Sequence, residues 1–225
     1  MDFLIRLGWI FTSPGRVFDD IRERRVSWVQ PWLISSAIYA LITWIAMPIQ
    51  RAILEVHPDL TTEQIDQQIE MMDSFGFMWV ILAPAGALII TFVMAGLSYI
   101  AVTMASRAAN FKQYLTLSFY TGIVGMMGQL VSALVIRARG LENITGPEDG
   151  QMALSLRAIA PDNAALRGLY GSIEFFAIWS LVLVAMGLMR IFGMSRGASI
   201  AVAVVLWVLY AGMMVIAEVL GGMAG

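Results

Sequence analysis

The chain has 225 residues, 59% of them hydrophobic and 13% charged, with a mean hydropathy of +0.77. A soluble domain carries about 25% charged residues, so a water-facing surface is excluded and the chain is an integral membrane protein folded as one bundle. The net charge of −2 says little by itself, since what matters is where the charges sit. No basic–aromatic surface for nucleic acid is present, and the absence of cysteine excludes a disulfide framework and thiol chemistry.

The N-terminal segment is amphipathic rather than spanning. Phe3, Leu4, Leu7, Ile10 and Phe11 recur at helical spacing, with Asp2 available as N-cap. Asp2 and Arg6 interrupt the basic-then-apolar order of a cleavable signal peptide, and no small-residue cleavage site follows. Ser13 is placed to cap a second helix, with Pro14 at its first position, where a missing N–H costs nothing. Val17, Phe18 and Ile21 form its apolar stripe, while Arg16, Arg22, Arg24 and Arg25 face water or lipid headgroups. Residues 1–27 therefore read as cytoplasmic helices lying in the membrane interface.

A membrane span needs about 20 apolar residues. Stretches 26–50, 74–106, 113–136 and 197–217 hold no Asp, Glu, Lys or Arg, and 172–189 holds only Glu174 and is the fifth candidate. Residues 28–225 thus form a five-span bundle, with spans at about 29–50, 79–104, 114–136, 172–189 and 199–220. The second stretch exceeds the hydrocarbon thickness, so Pro84 marks a kink or the true span starts near Trp79.

With the N-terminus inside, the inner face carries Arg6, Arg16, Arg22, Arg24, Arg25, Arg107, Lys112, Arg190 and Arg196. The outer face carries Arg51, Arg137, Arg139, Arg157 and Arg167. This bias satisfies the positive-inside rule and puts the C-terminus outside. The first outer loop is acidic, and Thr61 with Gln64 can cap a short helix there whose apolar face is Ile65, Ile69 and Met72. The second contains GLENITGPEDG and then a mildly amphipathic stretch. Both loops read as short helices resting on the outer surface.

Glu174 is the sharpest residue. A carboxylate inside a span faces the bundle interior or a water path, as a proton or cation site or as an anchor between helices. At the outer end of the span it would instead be hydrated among headgroups. Glu218 closes the fifth span in the same way, and the two acids would pair if both reach inward at one depth. Ser118, Gly122, Gly125 and Gln129 fall on one face of the third span. Small and polar residues so placed serve either bundle packing or a dimer contact. His57, the single histidine, has Asp59 nearby as the only metal partner in prospect. No metal, cofactor or catalytic constellation stands out, so an enzyme is not expected.

Several stretches carry a family resemblance. Phe11-Thr12-Ser13-Pro14, Val17-Phe18, Ile21, Trp28 and Pro31-Trp32 come first; Phe111 to Leu115 with Ser118 and Tyr120 follow; Glu174-Phe175-Phe176 with Trp179-Ser180-Leu181 and Gly187-Leu188 come last. Together they resemble the bacterial branch of the Yip family, the Ypt/Rab-interacting-protein-like membrane proteins. The resemblance implies five spans, a cytoplasmic N-terminus and a C-terminus on the opposite side. Eukaryotic members are implicated in vesicle traffic and contact prenylated Rab GTPases; some bacterial members are encoded with ABC-type exporters. The acidic–Leu-Tyr-Gly-Pro motif before the first span is absent here, so Rab binding is not carried over. The expectation is an all-α protein of the bacterial inner membrane, acting as a non-enzymatic adaptor or scaffold. Its partners would be the bilayer and an ABC-type exporter or a second copy of itself. The alternative is a small transporter or channel that uses Glu174.

Overall fold

The computed structural model describes residues 2–58, 60–105, 110–150 and 154–221. Eight α-helices run through them: α1 (Asp2–Thr12), α2 (Pro14–Arg22), α3 (Val29–Glu55), α4 (Thr62–Ala105), α5 (Phe111–Arg139), α6 (Ala164–Gly171), α7 (Phe175–Phe192) and α8 (Arg196–Gly221). Of these, α3, α4, α5, α7 and α8 are long and apolar enough to cross a membrane. The α5–α7 connection adds short 3-10 turns at Leu141–Asn143, Pro147–Gly150 and Leu156–Ile159.

Side-chain contacts fix the helix directions. Arg51 near the end of α3 meets Asp73 in the first third of α4 at 3.1 Å. Tyr114 near the start of α5 donates to Ser98 Oγ near the end of α4 at 2.8 Å. Gly187 late in α7 lies against Leu117 early in α5. The pairs α3/α4, α4/α5 and α5/α7 are therefore antiparallel, while α3 and α5, also in contact, run parallel. The central span is α5: Tyr114, Leu117, Tyr120 and Val124 are all almost fully buried. In lipid, helices associate through close packing and hydrogen bonds rather than through apolar burial from water. Ser180 supplies one such bond, donating from α7 to the Thr121 carbonyl of α5 at 2.8 Å.

The long second span differs from its sequence reading. The acidic loop helix and the span are one helix of 44 residues, about 66 Å at 1.5 Å per residue, running through Pro84. Its N-terminal cap is the expected one: Gln64 N donates to Thr61 Oγ1 at 3.3 Å, and Thr61 N donates back to Gln64 Oε1 at 2.8 Å. The loop helix thus continues the span instead of resting on the surface.

The N-terminal helices also differ. The stripe Val17, Phe18 and Ile21 is at most 1% exposed, because it packs on α7 and α5 within the main core. The bundle, not lipid, covers it. In α1, Ile10 is buried likewise, while Leu4, Ile5 and Phe11 stay exposed. Ser13 stands at the N-cap of α2 with Pro14 after it, but its side chain makes no capping bond. Asp59, Arg107 and residues 222–225 lie outside the described residues.

Candidate functional site

Three polar constellations punctuate the bundle. The first clamps α2 to the spans. Arg190 Nε and Nη2 donate to the two oxygens of Asp19 at 2.9 and 2.7 Å. Gln113 Nε2 donates to the carbonyls of Ile21 and Arg22 at 3.0 and 2.9 Å, closing the C-terminal end of α2. Arg6 Nε donates to Asp20 at 2.7 Å. Arg190's hydrogen bond holds the Asp19 carboxyl below the usual carboxylate range. Of the four cations expected to face water or lipid headgroups, three have partners within the protein. Arg16 lies 5.2 Å over the Trp9 ring, Arg22 is 3.5 Å from Asp19, and Arg25 is 2.5 Å from Glu23. Arg24, at φ 58°, turns the chain toward α3.

The second constellation surrounds Glu174. Hydration at the outer end of the span is overturned: Glu174 is 3% exposed. It is the N-cap of α7, and its Oε2 accepts from Ala177 N at 2.7 Å. Its carboxylate lies over Gly128 of α5, where an added Cβ would stand 2.6 Å from Oε1. Gly128 is 17 residues from the start of α5, about 25 Å along the helix axis, so Glu174 sits well inside the bundle. The cause is the preceding loop. The Gly168 backbone packs so closely on α8 that a Cβ there would lie 2.6 Å from Val215 Cα. Leu156 N then donates to Ile173 O at 3.1 Å, which draws the α7 start inward.

The third constellation is one the sequence reading missed. Glu218 does not pair with Glu174; it accepts from Arg157 Nη2 at 2.8 Å and is 2.5 Å from Arg157 Nη1. Arg167 Nε stands 3.8 Å away, and Arg167 Nη1 donates to Asp162 at 2.7 Å. Gln129 lines a chamber of about 370 Å³ together with Ser132, Arg157 and Glu218. The proposed packing face of α5 is only partly used. Gly125 lies against Ser180 of α7, Ser118 bonds back to the Tyr114 carbonyl, and a Cβ added at Gly122 would meet nothing within 4 Å. His57 closes the end of α3 through its backbone N–H, bonded to Leu54 O at 3.2 Å. No cluster of three metal-ligating side chains occurs among the described residues.

Several of the residues that carried the family resemblance are packing positions, while Phe11 and Phe175 are exposed. Phe18 and Tyr120 are fully buried, Pro31 is buried, and Trp32 and Trp179 flank the main core. Comparison with known proteins agrees. The model of the Yip1 domain matches residues 9–217. Membrane protein YknW of Bacillus subtilis is 27% identical over 204 residues, covering 88% of this chain and 83% of that protein. No solved structure matches the chain significantly. A family model that spans nearly the whole bundle, over signature residues that build its core, makes this chain a member of the Yip1-domain family of membrane proteins.

Proposed function

We propose that the protein is a non-enzymatic adaptor that binds a second membrane protein along α4. The observation that carries this reading is the outer part of α4. The hydrocarbon core is about 30 Å thick, and α4 is about twice that length. Lipid accounts for the exposed apolar residues within the bilayer, such as Phe77, Trp79 and Ile90. It does not account for a helix that continues beyond. There Glu63, Asp66, Glu70 and Asp73 recur at steps of three and four, all exposed, beside an exposed Met71. A helix rising out of the membrane with an acidic stripe fits a protein partner with basic residues at the same height. The ABC-type exporters encoded with some bacterial members of the family are the class we favour.

The topology we infer keeps α1 and α2 in the cytoplasm of a bacterial cell. The α2 end gathers Arg6, Lys112, Arg190 and Arg196 with the arginines of α2, which supports that orientation. Exposed Arg16, Arg22, Arg24 and Arg25 then meet anionic headgroups. Each is worth about 1 kcal/mol near the surface, less where Asp19, Asp20 or Glu23 already pairs with it.

The test is co-purification in mild detergent. A stoichiometric membrane partner should accompany the native protein and be lost from a Glu63→Lys, Asp66→Lys, Glu70→Lys variant. A native protein that always emerges alone contradicts the adaptor reading. The transporter reading has one observation on its side: Glu174 Oε1 is buried without a hydrogen-bond partner. Against it, Oε2 is committed to the α7 cap and Gly128 closes over the carboxylate. A pH-dependent flux in liposomes that Glu174→Gln abolishes would favour the transporter.

A further inference from the structure

Two chambers adjoin at the end of the bundle opposite α2. One, of about 370 Å³, lies between α3, α5, α8 and the α5–α7 connection. The other, of about 500 Å³, lies between α3, α4 and α5. Ile42, Ala46, Gln50 and Gln129 line both, so the chambers are two compartments of one cleft.

Their chemistry differs. The α3–α4 compartment is mostly apolar, lined by Met47, Leu54, Met72 and exposed Trp79, with Tyr39, Thr43 and Gln68 among them. The inner compartment presents Ser132, Arg157 and Glu218. Ser132 is 4% exposed, and its hydroxyl has no hydrogen-bond partner. Several hydroxyls in the spans bond back to a carbonyl four residues earlier, as Ser35, Ser118 and Thr121 do. Ser132 does not, which leaves an unpaired donor at the wall of a largely apolar chamber that also presents Arg157 and Glu218. A buried unpaired hydroxyl is costly, and an occupant would relieve that cost.

The charges select the occupant. Arg157 and Glu218 neutralise each other, and Arg167 is balanced by Asp162. A net charge brought into this enclosed space would lack a counter-ion and be disfavoured. A head with one positive and one negative group can engage both members of the Arg157–Glu218 pair. We propose that the cleft binds one zwitterionic phospholipid from the adjacent leaflet. Arg157 and Ser132 take the phosphate, Glu218 takes the ammonium, and an acyl chain occupies the α3–α4 compartment. The combined space is within the range of built ligand sites.

The experiment uses the full-length protein in mild detergent with mixed micelles of equimolar phosphatidylethanolamine and phosphatidylglycerol, and counts bound lipid by native mass spectrometry. One phosphatidylethanolamine should remain per protein. Ala46→Phe, which fills the shared wall, should lower its retention about tenfold, the effect of losing one well-made contact. Glu218→Gln leaves the Arg157 cation uncompensated and should reverse the preference toward phosphatidylglycerol. The head-group ratio is read on the monodisperse fraction and does not depend on how much protein folds. Retained lipid that neither variant alters is annular lipid and overturns the proposal. So does a native protein that keeps no lipid, or a Glu218→Gln variant with an unchanged preference.

Discussion

Glu174 separates a structural carboxylate from a working one by a single pair of substitutions. Its Oε2 accepts the Ala177 N–H at 2.7 Å, and the residue is 3% exposed. Glu174→Ala removes the cap of α7 and leaves the buried Ala177 N–H unpaired, which costs about 1–3 kcal/mol. On the scaling for soluble chains of 150–250 residues, 1 kcal/mol shifts Tm by about 2–4 °C, so Glu174→Ala should melt roughly 2–12 °C lower. Glu174→Gln keeps an acceptor for Ala177 and offers a donor where Oε1 has no partner. Its loss should stay below about 1 kcal/mol, since a buried charge is itself costly without a counter-charge. Thermal unfolding in detergent, followed by size-exclusion fluorescence, reads both. Equal destabilisation by the two substitutions would show that the charge, not the cap, is what the site needs. An unaffected Glu174→Ala would refute the capping account outright.

Gly168→Ala drives a Cβ to 2.6 Å from Val215 Cα and 2.8 Å from the Met214 carbonyl. Both are backbone atoms that no rotamer change can move, so a loss of about 1–3 kcal/mol in thermal unfolding is expected. Gly122→Ala meets nothing within 4 Å and should instead be neutral or gain about 0.5–1 kcal/mol. Phe18→Ala, at a fully buried position, should cost about 3–5 kcal/mol and expose the α2 segment to protease. The Arg22, Arg24, Arg25 triple alanine should leave that protection intact, because the docking of α2 rests on its stripe and on Arg190 and Gln113. Asp19 adds a pH dependence. Its folded pKa lies below its unfolded value, about 3.9. Its contribution is therefore complete above that value and is lost as pH falls through the folded one. A spin label at Thr12→Cys should report constant immobilisation from pH 7 to about 5 and release only below about 4. Asp19→Asn should abolish the change.

The five spans were legible because lipid forces them to be: a helix in hydrocarbon must be long and uncharged. What lay beyond the bilayer was not. The continuation of α4 past Asp73 reads as a separate loop helix, because the sequence marks where apolar residues stop, not where helical geometry stops. The depth of Glu174 escaped for a related reason. An apolar stretch places its ends at the surface by assumption, and here Gly168 of α6, packed against α8, draws the chain inward before α7 begins. The stripe of α2 shows amphipathicity, which does not distinguish lipid from a protein groove. Arg157 and Glu218 are 61 residues apart in sequence, and no local pattern announces their pairing. The family motifs were legible, yet Phe18, Pro31 and Tyr120 among them build the core, and of the motif residues Glu174 alone is a candidate site.

The adaptor account is tested most directly by site-specific photo-crosslinking in cells, with the crosslinker placed in turn at Asp66, Met71 and Phe75 on α4 and at buried Tyr120. The account predicts one discrete adduct with a second membrane protein from the α4 positions and none from Tyr120. Adducts with lipid alone, or the same pattern from all four positions, would contradict it.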